Sequence, residues 1–140
     1  MSTQSVLAPL FAMAAITFAL MIGMVLTRRR AVIDKKVNPK DLLVRGANPW
    51  PPSAAQFSDA YSNSLELPLL FYVVVIIAFL TKQADLIFVV LSWVFVVCRV
   101  VQAYVHATSN IRKYRSNAFR AGALTLMVLW VYLTLRFVTA

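Results

Sequence analysis

Hydrophobic positions in this chain are gathered into four long blocks separated by polar segments. The blocks cover about residues 6–27, 57–80, 84–107 and 117–138, and each is close to the roughly 20 residues that a helix needs to cross a hydrocarbon core. A helix satisfies its own backbone hydrogen bonds, which lipid cannot do. The pattern therefore predicts an all-α integral membrane protein, with residues 1–140 forming a single four-helix bundle.

Basic residues orient these blocks. Arg28, Arg29 and Arg30 follow the first block directly, whereas a signal peptide carries its positive charge before the apolar run. We therefore expect an uncleaved first helix, followed by a basic loop at residues 28–56. Another basic segment joins the third and fourth blocks. The positive-inside rule then predicts that both basic segments are cytoplasmic and that both termini are non-cytoplasmic.

Composition agrees with a membrane protein, since 61% of residues are hydrophobic and the mean hydropathy is +0.74. In a soluble protein, the net charge of +9 would indicate nucleic-acid binding. Here the cations stand beside apolar blocks, where they meet anionic lipid instead. The expected partner is the lipid bilayer, with no nucleic acid. Cys98 is the one cysteine, so it forms no disulfide within the chain and no metal motif.

Local signals add detail to the helices. Ser53 or Ser58 is a candidate cap for the second helix, and Pro68 falls inside it, where proline tends to cause a kink. Trp50 suits an interfacial anchor. The short link at residues 81–83 predicts that the second and third helices form a tight antiparallel pair.

Two ionisable residues fall deep within predicted spans, where a charge is costly and is a functional candidate by default. Glu66 lies about 13 Å below the start of the second block, and Arg99 about 12 Å from the end of the third, at 1.5 Å per residue. Because the two helices are antiparallel, we expect these charges near each other, within a subunit or across an interface.

Further polar residues share helical faces with these two charges, since offsets of three, four and seven residues place side chains on one side of a helix. They predict a polar pocket with a basic mouth in the cytoplasmic half of the bundle. Such a pocket suits a small ligand that carries both carboxylates and an amine. The residues expected there are Asp59, Asn63, Glu66, Arg99, Gln102, Tyr104, His106, Asn110, Arg115 and Arg120.

Each of these residues also has a structural interpretation. Polar groups such as Asn63 hold membrane helices together, and Glu66 with Arg99 is compatible with an ion pair that binds no ligand. His106 is compatible with an ordinary interfacial histidine, and a lone histidine is a poor metal candidate, so no metal is expected. Spacing alone reveals no catalytic motif.

The stretch from Asn63 to Phe71, Asn-Ser-Leu-Glu-Leu-Pro-Leu-Leu-Phe, resembles the helix-two signature of the MAPEG family, the membrane-associated proteins in eicosanoid and glutathione metabolism. The likeness covers nearly the whole chain and is greatest for the family's bacterial branch, which implies a bacterial inner membrane. It continues from Arg99 to His106 and at Asn110, Arg115, Phe119, Arg120 and Gly122.

The resemblance implies a homotrimer that binds glutathione between neighbouring subunits. Arg115 matches an arginine proposed to activate the thiol, because a cation lowers a thiol pKa and so favours the nucleophilic thiolate. The sulfur would then attack a hydrophobic small molecule arriving from the membrane. Arg29 or Arg30 matches a basic residue that reaches the pocket from a neighbour. The expected glutathione-binding residues are Asn63, Glu66, Arg99, His106, Arg29 and Arg30.

Three positions depart from the eicosanoid enzymes of the family. Asp59 stands where they carry an arginine, which reverses the charge expected beside the ligand. His106 and Phe119 stand where tyrosines are expected. Two hypotheses follow from this mixture. The first is a glutathione-dependent transferase or peroxidase acting on lipophilic electrophiles. The second is a non-catalytic ligand-binding protein or an accessory subunit of a membrane assembly.

Overall fold

The computed structural model describes residues 2–37, 40, 50–108 and 111–140, with Ala107 and Arg112 described by their backbone alone. The described residues form four helices: α1 (Thr3–Ile33), α2 (Pro52–Leu80), α3 (Leu86–Ala107) and α4 (Arg112–Thr139). Each is long and apolar enough to cross a membrane. The predicted all-α membrane bundle is therefore confirmed. The predicted loop at residues 28–56 is shorter in the structure, since residues 28–33 belong to α1 and residues 52–56 to α2, and its residues 38, 39 and 41–49 lie outside the described residues.

Helix α2 begins earlier than the apolar pattern indicated, and its start does not use a serine cap. Pro51 is the N-cap residue and makes no side-chain capping bond, while Pro52 supplies the fixed φ angle that suits the first helical turn. Ser58 instead accepts a hydrogen bond of 2.8 Å from Nη2 of Arg28. The expectation that Ser53 or Ser58 caps α2 is therefore wrong, because proline starts the helix without a polar side chain.

The connection between α2 and α3 is short and well defined. Lys82 has a left-handed backbone (φ 56°) and closes α2 with the paired backbone hydrogen bonds of a Schellman motif. Asp85 then starts α3 by accepting a hydrogen bond of 3.0 Å from the Phe88 N–H. The Schellman motif ends α2 and the Asp85 cap starts α3 within a few residues. The chain therefore reverses direction over a short link, as the sequence predicted for this pair of helices.

Packing joins α1 chiefly to α2 and α3 chiefly to α4, with α2 and α3 linking the two pairs. At that link the rings of Phe71 and Phe95 stack with centroids 4.5 Å apart and an interplanar angle of 21°. Burying two aromatic side chains in this arrangement contributes beyond their apolar area, by about 0.5–1.5 kcal/mol. The other members of this core are Met13, Val74, Val75, Ala78, Phe88, Val96, Leu126, Leu129 and Leu133.

The two ends of the bundle differ in charge. We call the basic end the one that holds the last turns of α1 and α3 and the first turns of α2 and α4. There Arg28 bonds Ser58 and its guanidinium lies 4.9 Å from the ring centroid of Trp50. The apolar core fills the bundle away from this end. The polar residues of interest therefore lie between the core and the basic end.

Candidate polar site at the basic end

Arg99 is a charged side chain buried inside the bundle, with an exposed fraction of 3%. Its Nη1 donates to Oε1 of Gln102 at 2.6 Å, and its Nη2 donates to the backbone carbonyl oxygen of Asn63 at 2.9 Å. The first bond spans one turn of α3, and the second crosses to α2. Because a buried cation is destabilising unless it is hydrogen-bonded, these bonds allow Arg99 to sit there and hold α2 against α3.

Beside Arg99 is a small cavity of about 10 Å³, which we call the inner cavity. Helices α2 and α3 supply its polar wall, and α1 supplies an apolar one. Its volume is about that of one water-sized group. The polar wall comprises Asn63, Ser64, Arg99, Gln102 and His106, and the apolar wall comprises Met13, Ile16 and Leu20 together with Ala60 and Ala103.

A larger cavity of about 230 Å³ adjoins the inner one and brings in α4. Ligand pockets in proteins usually measure about 300–1,000 Å³, so the walls from this chain enclose only part of such a volume. Two arginines of the first turns of α4 give the cavity a positive character. It is lined by Asn63, Gln102, His106, Arg115, Ser116, Phe119 and Arg120.

His106 contributes to the walls of both cavities and has an exposed fraction of 8%. Its Nδ1 atom is buried and has no hydrogen-bond partner among the described residues. The imidazole interacts electrostatically with Arg115 on α4, with Asp59 on α2 and with Arg99 on α3. Charged residues of three helices therefore interact with one titratable imidazole ring.

Glu66 lines neither of the two polar cavities. Its side chain is exposed, beside Leu65, Leu69 and Leu70, which are 50%, 59% and 50% exposed. Glu66 and Arg99 interact electrostatically, but within the described part of the chain they form no ion pair. The two charges are therefore near enough to interact electrostatically, as expected, but they do not touch. Arg99 instead donates its hydrogen bonds to Gln102 and the Asn63 carbonyl.

The arginines at the end of α1 do not line the two polar cavities in the single chain. Arg29 is exposed. Arg30 lines a separate cavity of about 240 Å³, which lies between the end of α1, with Asp34 and Lys36, and the start of α2. Tyr104 and Asp59, also expected in the pocket, are exposed and line neither polar cavity, and Asn110 lies outside the described residues.

Several residues of the site carry little signal in the sequence. Ser116 directly follows Arg115, and its position in the first turns of α4 is the one hint of a role. Met13, Ile16 and Leu20 fall on one side of α1, but the first block is apolar all round, so no period separates the packed face from the lipid face.

A second polar cluster, which the sequence did not indicate, lies at the opposite end of the bundle. Asp85 accepts hydrogen bonds from the Tyr132 hydroxyl at 2.5 Å and from Nη1 of Arg136 at 2.8 Å, besides capping α3. Burial raises the pKa of Asp85, but these hydrogen bonds and the Arg136 charge outweigh it and hold the pKa below its ordinary 3.8. The cluster fastens the start of α3 to the end of α4.

Comparison with known proteins agrees with this architecture. The sequence model of the MAPEG family matches residues 6–135, which include the greater part of every helix. The match also includes the residues that line the two polar cavities, and Asp85 and Tyr132 of the second cluster. A search of curated proteins found no significant match.

Proposed function

Since the chain belongs to the MAPEG family, we propose that it is a membrane enzyme that binds glutathione and uses it, as a transferase or peroxidase, against lipophilic electrophiles. The observation that carries this proposal is the larger cavity at the basic end. Within a membrane bundle, that cavity gathers Asn63, Gln102 and His106 with two arginines of α4. Such groups are costly in a membrane protein unless they serve a ligand or hold helices together.

The cavity and the adjoining surface of α2 together have groups that suit glutathione. Its two carboxylates suit the guanidinium groups of Arg115 and Arg120, since charge-assisted hydrogen bonds to arginine are among the strongest available. Its ammonium group suits Asp59 and Glu66, two exposed acidic residues of α2 that lie outside the lining of the cavity. Asn63 offers an amide that both donates and accepts. The reversed charge at Asp59 is compatible with the ligand's ammonium group rather than with one of its carboxylates.

Arg115 is the residue to which we assign thiol activation. A cation beside the sulfur favours the thiolate, which is the nucleophilic form. In the transferase reaction the sulfur bonds an electrophilic carbon, and the proton lost from the thiol reaches the atom that receives the displaced electron pair. In the peroxidase reaction two glutathione molecules and a hydroperoxide give the glutathione disulfide, an alcohol and water.

We propose that the site is completed by neighbouring subunits in a homotrimer. Glu66 supports this, because an exposed carboxylate on an apolar face in the middle of a span needs a polar surround that lipid lacks. The limited volume of the cavity points the same way. Arg29 and Arg30, which do not line the two polar cavities of their own chain, would then approach the site of a neighbour.

A non-catalytic role has one observation in its favour. Arg99 directs both of its terminal nitrogens to groups of its own chain, Gln102 and the Asn63 carbonyl. A residue used in this way stabilises the bundle without a ligand. If the whole polar region served that purpose, the protein would be a ligand-binding or accessory subunit, and loss of Arg115 would affect stability but no reaction.

The proposal is tested with detergent-purified protein, glutathione and a hydrophobic electrophile with an activated double bond, the conjugate being measured by mass spectrometry. We expect conjugation above the protein-free rate and a fall of about 100-fold for Arg115→Gln. Lys113→Ala, which changes an exposed cation two residues away, is the matched control and should keep the rate. Conjugation no faster than in the absence of protein, with hydroperoxides also unreduced, would overturn the enzymatic proposal.

A further inference from the structure

We infer that His106 is the proton acceptor of this site, which takes the proton from the ligand's thiol as the sulfur becomes nucleophilic. The inference rests on the proposed use of glutathione, and it assigns the proton step to a residue on α3 while Arg115 on α4 stabilises the thiolate. General acid–base residues are most often histidines, since their ordinary pKa lies near neutral pH.

The position of His106 is the first support. Among the described residues, Asn63, Gln102 and His106 line both the inner and the larger cavity. The amides of Asn63 and Gln102 do not take up a proton near neutral pH, whereas the imidazole does. The ring therefore stands where a ligand in the larger cavity meets a group that is able to gain a proton.

The unsatisfied Nδ1 atom is an independent support. His106 is more than nine-tenths buried, and this nitrogen has no partner among the described residues. Buried polar groups in proteins are nearly always hydrogen-bonded, so an exception calls for an explanation such as a ligand or a catalytic role. Because the ring lines both cavities, one nitrogen is able to face the inner cavity while the other faces a ligand in the larger cavity.

The charges around the ring suit a reversible proton step. Burial, together with Arg115 from α4 and Arg99 from α3, opposes a lasting positive charge on the imidazole, while Asp59 from α2 favours one. Helix α1 contributes apolar residues to the inner cavity and no charge. A base flanked by opposing charges is able to accept a proton and then release it, which a permanently paired histidine does less readily.

The step balances without another reactant. The thiol proton moves to the imidazole, the sulfur electron pair forms a bond to carbon, and the electrons of the activated double bond move to the neighbouring carbon. That carbon then takes the proton back from the imidazolium. The product is the neutral conjugate, and His106 returns to its starting form.

The test uses full-length protein with glutathione and with S-methylglutathione, which has no thiol proton. We expect His106→Gln to lower the conjugation rate by about 100-fold, within the range found for acid–base residues. Its thermal midpoint should still rise with S-methylglutathione, as in the wild type. His106→Asn is the second variant, should the first fail to fold. Tyr114→Phe, an exposed position in the first turns of α4 that lines neither polar cavity, is the matched control and should keep the rate.

The pH profile gives a second measurement when wild type and His106→Gln are compared. If His106 takes the thiol proton, the profile of His106→Gln should shift to higher pH, because hydroxide must then take the proton in its place. Identical profiles for the two proteins would overturn the inference.

The outcomes also separate this inference from the proposed function. If variant and wild type bind S-methylglutathione and conjugate at equal rates, His106 is not the proton acceptor, although glutathione remains the ligand. If neither compound raises the midpoint of the wild type, the proposed function fails and the inference fails with it.

Discussion

Nη2 of Arg99 donates a hydrogen bond to the backbone carbonyl oxygen of Asn63 at 2.9 Å, which ties α3 to α2 beside the inner cavity. This contact falls one turn before Pro68, which has no N–H and so leaves the carbonyl of Ser64 without its usual helical donor. The Arg99 guanidinium thus meets α2 one residue before the carbonyl that Pro68 leaves free, and the same contact fixes the wall on which the proposed ligand would lie.

Replacing Arg99 with lysine should destabilise the bundle by about 1–3 kcal/mol, the usual cost of leaving a buried polar group unpaired. Lysine keeps the charge but lacks the planar fork that reaches Gln102 and the Asn63 carbonyl together. Thermal unfolding in detergent without ligand measures the effect. Lys113→Ala, at an exposed cation, is the control. A midpoint equal to the wild type for Arg99→Lys would mean that the two hydrogen bonds hold nothing together.

Two glycines provide a matched pair of packing tests. A Cβ at Gly23 would lie 2.5 Å from the ring of Phe57, so Gly23→Ala should force α1 away from α2 and cost about 1–3 kcal/mol. A Cβ at Gly122 would meet the Cβ of Cys98 at 3.5 Å, which is ordinary contact. Gly122→Ala should therefore be neutral or stabilising by up to about 1 kcal/mol, given the helix propensity of alanine. Equal effects of the two substitutions on the unfolding midpoint would contradict this packing.

Acid should weaken the cluster at the opposite end of the bundle. The pKa of Asp85 in the folded protein is below its ordinary 3.8, so its carboxylate stabilises the fold fully above that value. This contribution is lost as the pH falls below 3.8 and through the lower folded pKa. Asp85→Asn keeps a capping side chain but not the charge, and it should lower the free energy of unfolding at neutral pH by about 1 kcal/mol.

The difference in midpoint between wild type and Asp85→Asn, followed from neutral pH to about pH 2, isolates this group from the other carboxylates. We expect the difference to shrink as the pH falls. A constant difference across the range would show that ionisation of Asp85 does not stabilise the fold.

Sequence patterning was enough for the number, type and approximate limits of the helices, because a membrane span needs a long apolar run that hardly any other segment has. It also placed Asn63, Arg99, Gln102, His106 and Arg115 in one region, because helical spacing and antiparallel order fix depth and face. The sequence did not predict which side chains pair with each other. Sequence offsets give no side-chain rotamer, so they did not predict that Arg99 bonds a backbone carbonyl rather than Glu66.

Other features escaped prediction for related reasons. The link between Asp85, Tyr132 and Arg136 joins residues about fifty positions apart, and each is unremarkable in its own segment. Helix α2 starts at a proline, and not after the expected serine cap, because a helix start needs a suitable φ angle as much as a polar cap.

The proposed topology predicts which segments face the cytoplasm. With Cys98→Ser as the background, Lys36→Cys near the end of α1 should react with a membrane-impermeant maleimide only after the membrane is opened. Thr139→Cys, at the far end of α4, should react in intact cells. Both positions are exposed in the fold, so the comparison reports the side of the membrane. The reverse labelling pattern would invert the topology and place the basic end outside.

The most direct test of the central claim is thermal unfolding of the detergent-purified protein with and without millimolar glutathione, for the wild type and for Arg115→Ala. A ligand that binds only the folded state raises the midpoint, and at a concentration 100 times its Kd it adds about 2.7 kcal/mol. We predict a rise for the wild type that Arg115→Ala abolishes or greatly reduces. No rise for the wild type at saturating glutathione would contradict a glutathione site at the basic end, and the non-catalytic interpretation of the polar residues would then be favoured.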